Sequence, residues 1–156
     1  MYKTNYDGQL RYKYVSRNFI QSLIIEPIVY CFIIILMYLS VGTKSILYFY
    51  LMLCFLIAWY IIGMYATYKM VLRQNRTICE IDFINEDIVI RTDKLLWLKS
   101  REYKVGKSKV QSKTRTFENY GKNTIKEGLS VFVNNIELYL VKDYFDNYED
   151  IIKLLT

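Results

Sequence analysis

Histidine does not occur among the 156 residues. Its absence removes the side chain that most often serves as a general base near neutral pH. It also removes the Ser–His and Cys–His nucleophile pairs and most zinc and iron sites. Cysteine is scarce: Cys31 and Cys54 fall in apolar runs and Cys79 in a predicted strand, with no C-x-x-C spacing. An odd count fits reduced thiols, read here as small buried hydrophobic side chains, rather than a disulfide framework. No Gly-x-Gly-x-x-Gly or Walker-type loop is present, so no backbone phosphate cradle is written locally. No cleavable signal peptide is expected, because the first apolar run starts near Phe19, after a polar stretch, and no A-x-A site follows it. Glu80 and Asp82 share one strand face and read as solvated acids, while Glu149 and Asp150 suit the first turn of a helix. The residues point to no enzyme, no cofactor and no metal.

Apolar side chains are what the chain has in excess. They make up 53% of the residues, against roughly 45–50% in soluble domains. Phe19 to Val41 gives a segment of about 23 residues, enough to cross a hydrocarbon core of roughly 30 Å. Ser45 to Tyr68 is uncharged throughout and is the stronger span. Only Gly42-Thr43-Lys44 lies between them, which predicts an antiparallel transmembrane hairpin over 19–68 with both chain ends on one side. Lys3, Arg11, Lys13 and Arg17 precede the first span, Lys69, Arg73 and Arg76 follow the second, and the turn carries Lys44 alone. The positive-inside rule then places both termini in the cytoplasm, which for a bacterium means the inner membrane. Tyr48, Tyr65 and Tyr68 suit the interfacial belt.

Glu26 is the one acid within the first apolar segment, beside Pro27, the only proline. It reads either as a relay group inside the membrane or as an interfacial residue, with the span starting at Pro27 in the first turn of a helix. Gly63 and Thr67 have a small-x-x-x-small spacing, a candidate close-packing face for a homo-oligomer of the spans.

The second half changes character. Residues 1–18 read as a cytoplasmic N-terminal segment, 69–76 as the end of the second helix, and 77–156 as a cytoplasmic β-rich domain. Thr77 to Phe83 alternates, with Cys79, Ile81 and Phe83 on one face. A turn at Asn85-Glu86-Asp87 leads to a strand over Ile88–Arg91. Leu95-Leu96-Trp97-Leu98 is a further apolar run, followed by a strand-like but basic stretch to about Phe117. Leu129, Val131 and Val133, then Ile136, Leu138 and Leu140, supply one buried face of a hairpin. Its two-residue turn, Asn134-Asn135, is suited to positive φ angles. Asp146 and Glu149 have the spacing of a capping box. Tyr148, Ile151, Ile152 and Leu155 follow on one helical face. The fold class is thus an α+β membrane protein: a transmembrane hairpin, then a small antiparallel sheet or partial barrel closed by a C-terminal helix.

Charge is distributed unevenly. Lys99, Arg101, Lys104, Lys107, Lys109, Lys113, Arg115, Lys122 and Lys126 gather in one stretch with few acids. With a net charge of +6 over the whole chain, the candidate partners are the lipid bilayer itself, anionic headgroups and the phosphates of a nucleotide. A solvated flank that binds nothing explains the same charges, and DNA is not expected.

The stretch Leu140-Val141-Lys142-Asp143-Tyr144-Phe145, followed by Asp146 to Leu155, resembles the ending of bacterial two-transmembrane proteins with a C-terminal pleckstrin-homology-like domain of the YcxB-like kind. Lys142 and Phe145 match that pattern, and Val141 stands where it has proline. The layout is also similar to that of two-transmembrane, β-strand-rich effectors of anti-phage defence. In those effectors a β-barrel senses a cyclic nucleotide and the spans disrupt the membrane. Beside the first resemblance stands the expectation of a membrane-anchored, non-enzymatic module whose β domain recognises a lipid, peptide or partner protein beneath the bilayer and regulates it, a class that small self-immunity proteins fit. The second implies a membrane-disrupting effector.

Overall fold

The computed structural model describes residues 1–41, 46–117 and 126–155. The Gly42-Thr43-Lys44 turn and Lys122 lie outside the described residues. The chain divides into two compact units. One is helical, residues 14–71. The other combines both ends of the sequence, residues 1–13 with 72–156.

The helical unit contains two long rods. Helix α1 (Tyr6–Ile20), a π-helical turn (Gln21–Ile25) and helix α2 (Glu26–Val41) follow one another without interruption. Helix α3 runs from Ile46 to Asn75, about 45 Å at 1.5 Å per residue. Both rods are long and apolar enough to cross a membrane, and almost none of their apolar surface is buried within the protein. They run antiparallel: Tyr30 meets Tyr60 at 5.8 Å between ring centroids, and Tyr38 meets Phe49 at 5.7 Å. Advancing along one rod retreats along the other.

The first rod begins well before Phe19, so Pro27 sits inside a helix rather than at its start. A proline ring clashes with the carbonyl four residues back and donates no bond. The wide turn just ahead of it relieves the clash, with the Glu26 amide bonding to the Gln21 carbonyl, five residues back. Cys31 and Cys54 are exposed on the rods and Cys79 is half-buried. The expectation of three buried thiols is therefore corrected. The long apolar helices offer only one another to pack against, and most of their side chains face outward.

The second unit holds two small antiparallel sheets rather than one, and they do not close into a barrel. Strands β1 (Tyr2–Lys3), β2 (Ile78–Ile84), β3 (Asp87–Thr92) and β4 (Arg101–Gly106) form the first in that order. Strands β5 (Gln111–Phe117), β6 (Lys126–Val133) and β7 (Ile136–Val141) form the second. Helix α4 (Tyr148–Leu155) follows. The sheets meet where the Tyr139 amide donates to the Arg76 carbonyl at 3.0 Å and Thr77 bridges Tyr139 in parallel.

The core is drawn from Ile78, Ile81, Ile88 and Ile90 of the first sheet and Val131, Val133, Leu138 and Leu140 of the second. Tyr148, Ile151 and Leu155 of α4 complete it. Ile78 and Ile81 are both fully buried, which strict alternation forbids. The register shifts between Ile78 and Glu80, so Cys79 is the extra residue of a bulge. The Asn134-Asn135 turn has φ of 50° and 64°, as a tight hairpin requires.

Two further details depart from the pattern reading. Leu95 and Leu98 exchange backbone hydrogen bonds at 3.0 and 2.9 Å around Leu96, whose φ is 55°, so the apolar run is a tight turn and not a strand. Helix α4 starts at Tyr148, and the Asp146 carboxylate accepts from the Asn5 side-chain amide at 3.0 Å.

The N-terminal segment joins this unit. Tyr2 and Lys3 pair with Ile81 and Glu80. The Asn5 amide nitrogen donates to the Tyr144 carbonyl at 2.8 Å, and the Tyr12 hydroxyl donates to the Thr77 carbonyl at 2.9 Å.

Candidate functional site

The basic stretch does not fold into one patch. Arg101 pairs with Thr92, and Thr92 with Ile78, so Arg101 and the preceding Lys99 lie at the end of the first sheet where α3 enters. The Asn75 side chain in the last turn of α3 donates to the carbonyls of Asp93 and Lys99 and fixes the β3–β4 loop there. Lys107 and Lys109 form a 3₁₀ turn after β4, at the opposite end of a strand about 20 Å long. Lys104 lies between, on the outer face, paired with Asp87 at 3.3 Å. Lys113 and Arg115 belong to β5 in the other sheet. Lys126 is taken up locally: its ammonium is 2.8 Å from Asp143 and 5.5 Å from the Tyr144 ring centroid.

Three cavities in this unit separate the candidates further. The largest of these three, about 640 Å³, is lined by Asn85, Glu86, Asp87, Lys107 and Leu155 among others. Its two acids face one lysine, a poor match to a phosphorylated ligand. A second, about 410 Å³, balances Lys3 and Lys13 against Glu80 and Asp93. The third, about 180 Å³, is lined by Arg73, Arg115, Thr116, Phe117 and Tyr139. Among the described residues its wall has two arginines and no acid. Sequence reading named Arg115 but counted Arg73 only as a topology marker, because the two are brought together by the contact between Arg76 and Tyr139.

Arg115 is held from behind. Glu137 forms an ion pair with it and accepts from the Ser130 hydroxyl at 2.7 Å and the Tyr139 hydroxyl at 3.2 Å. Burial alone would raise the Glu137 pKa. The bonds from Ser130, Arg115 and Tyr139 outweigh that and hold it below the usual carboxylate range. The Arg115 guanidinium carbon lies 5.4 Å from the Tyr139 ring centroid, and Tyr139 meets Phe117 edge-on at 5.5 Å.

Near α3, the Leu95–Leu98 turn presents Trp97, which is 55% exposed. Lys94, Lys99 and Arg101 are exposed around it. The sequence marks this run only as apolar. Only the left-handed Leu96 turns the indole outward.

Glu26, in the helical unit, accepts a hydrogen bond from the Ser22 hydroxyl one turn earlier at 2.9 Å. At Gly63 an added Cβ would meet nothing within 4 Å, so this chain does not itself fill the small-residue face. Among the described residues no group of three acids and cysteines could hold a metal ion.

Comparison with protein-family models, with curated proteins and with solved structures finds no match to this chain.

Proposed function

We propose that the protein is a membrane-anchored, non-enzymatic binding module whose β unit engages the anionic surface of the bilayer that its helices span. The observation that carries this reading is the β3–β4 turn. An exposed indole costs solvation in water, whereas tryptophan is favoured at the membrane interface, with its ring among headgroups. Basic side chains beside it add attraction to anionic lipid of about 1 kcal/mol each near the surface. Asn75 ties the turn to the end of α3. With both termini in the cytoplasm, by the lysine and arginine bias, the surface is the inner leaflet. After the helices, three strands of one sheet, three of a second and a closing helix also suit the pleckstrin-homology-like layout that the sequence resembles.

Trp59 is the other tryptophan, so a Trp59→Phe chain reports Trp97 alone. In vesicles, lipids brominated near the headgroup should quench Trp97, and more strongly when phosphatidylglycerol replaces phosphatidylcholine. Emission indifferent to brominated lipid rejects the reading.

A second reading, a membrane-disrupting effector, is favoured by one observation. Residues 1–13 and 72–76, which lead into and out of the helical unit, both belong to the β unit, where Tyr12 bonds to Thr77 and Asn75 to Asp93 and Lys99. A ligand that altered the β unit would act on both at once. Membrane depolarisation on production of the chain with a cyclic nucleotide is its test, and an undisturbed membrane potential with every cyclic nucleotide supplied rejects it.

A further inference from the structure

The cavity of Arg73, Arg115, Thr116, Phe117 and Tyr139 suits a ligand chemistry that can be named. We infer that it holds a phosphate group. The inference rests on the membrane-surface reading above and gives that reading a specific site.

Charge and shape select the ligand. Among the described residues the lining consists of two arginines, a threonine and two aromatic residues, with no acidic residue. A guanidinium carries five N–H donors in a planar fork matched to phosphate oxygens. Glu137 engages one nitrogen of Arg115, Nη1, and so orients the fork without exhausting it. The Tyr139 ring beneath the guanidinium fixes its plane further. Such a donor is set in place before a ligand arrives, which lowers the ordering cost of binding.

Size sets the limit. About 180 Å³ is well under the roughly 300–1,000 Å³ of cavities that enclose a drug-sized molecule. A phosphate group fits and a whole cyclic dinucleotide does not. The larger cavity near Lys107 has the volume but the wrong sign of charge.

Depth along α3 suggests where the phosphate comes from. Arg73 follows Tyr68, the last residue of the uncharged run, by five residues, or about 7 Å of helical rise. The headgroup layer outside the hydrocarbon core is about 5–7 Å thick. A lipid phosphate and a free phosphate would present the same oxygens, so the test separates the two sources.

The full chain is held in maltoside detergent, which carries no phosphate, and its unfolding midpoint is followed in two arms. One adds inorganic phosphate; the other adds phosphatidylglycerol to the micelles. A ligand that binds only the folded state raises the midpoint. A rise in either arm supports the site, and the arm that responds identifies the source. Arg73→Gln and Arg115→Gln should each weaken the response about tenfold or more, the loss of one charge-assisted donor. Lys107→Gln should leave it unchanged. Arg73→Gln leaves the Glu137 cluster intact, so its effect does not depend on Arg115 folding correctly. No rise in either arm overturns the inference. So does a rise that survives both arginine substitutions, and in that case the membrane-surface reading still stands. Loss of Trp97 quenching with the phosphate response intact would overturn that reading and leave the cavity.

Discussion

The Tyr12 hydroxyl donates to the Thr77 carbonyl oxygen at 2.9 Å, across 65 residues of sequence. Tyr12 belongs to the root of the first rod, and Thr77 follows the end of the second. Both are buried, so the bond is shielded from water. Tyr12→Phe keeps the ring and leaves a buried carbonyl short of a donor, a change that costs about 1–3 kcal/mol. Denaturant unfolding of the full chain in detergent should show that loss. An unchanged midpoint would mean the two rod roots are not held through this contact.

Alkaline pH should weaken the same region. Burial first, and then the charges of Asp93 and Glu80, push the Cys79 thiol from its ordinary 9.0 up to about 12. Burial acts in the same direction on Tyr12. A pKa raised in the folded state favours folding below the unfolded value, and the benefit disappears as pH rises toward the folded value. Stability should therefore fall between pH 9 and about 12. Cys79→Ala should flatten the start of that decline, read as unfolding midpoint against pH.

Gly128 should tolerate no side chain. A Cβ there would lie 2.1 Å from the Leu140 carbonyl oxygen and 2.7 Å from the Phe117 ring. The ring could move, but the oxygen belongs to the β6–β7 ladder. Overpacking of this kind costs about 1–3 kcal/mol, occasionally more, and Gly128→Ala should reach the upper end. Gly106 is the control: nothing lies within 4 Å of its Cβ position, so Gly106→Ala should be close to neutral in the same unfolding assay.

The legible parts of the chain were those governed by one local rule. Apolar length marked both rods. Alternation across Asn134-Asn135 marked the last hairpin, and helical spacing marked Tyr148, Ile151 and Leu155 as a buried face. Features set by distant partners did not show. Tyr2 and Lys3 form a strand only because β2 offers its edge. Cys79 becomes a bulge only because Arg91 and Thr92 fix the opposite register. The basic run looked like one surface because sequence adjacency was taken for spatial adjacency. A strand of six residues carries Arg101 and Lys107 to opposite ends of a sheet, while Arg73 and Arg115, far apart in sequence, line one cavity.

Acid should act through Glu137. Its carboxylate, 25% exposed, would be raised by burial, yet the bonds from Ser130, Arg115 and Tyr139 bring it below the ordinary range. A depressed folded-state pKa stabilises the fold above the unfolded value, about 4.3 for glutamate, and that contribution is lost as pH falls through the folded value. Unfolding midpoints should therefore drop on acidification below about pH 4.3. Glu137→Gln removes the titrating group and should flatten the drop, while lowering stability at neutral pH because Arg115 loses its ionic partner. Protonation also loosens the Arg115 fork, so the response to phosphate should weaken over the same pH range in the wild-type chain and lose its dependence on this carboxyl in Glu137→Gln. A wild-type acid profile that matches that of Glu137→Gln would show that the Ser130–Arg115–Tyr139 cluster does not hold the carboxylate in its charged form.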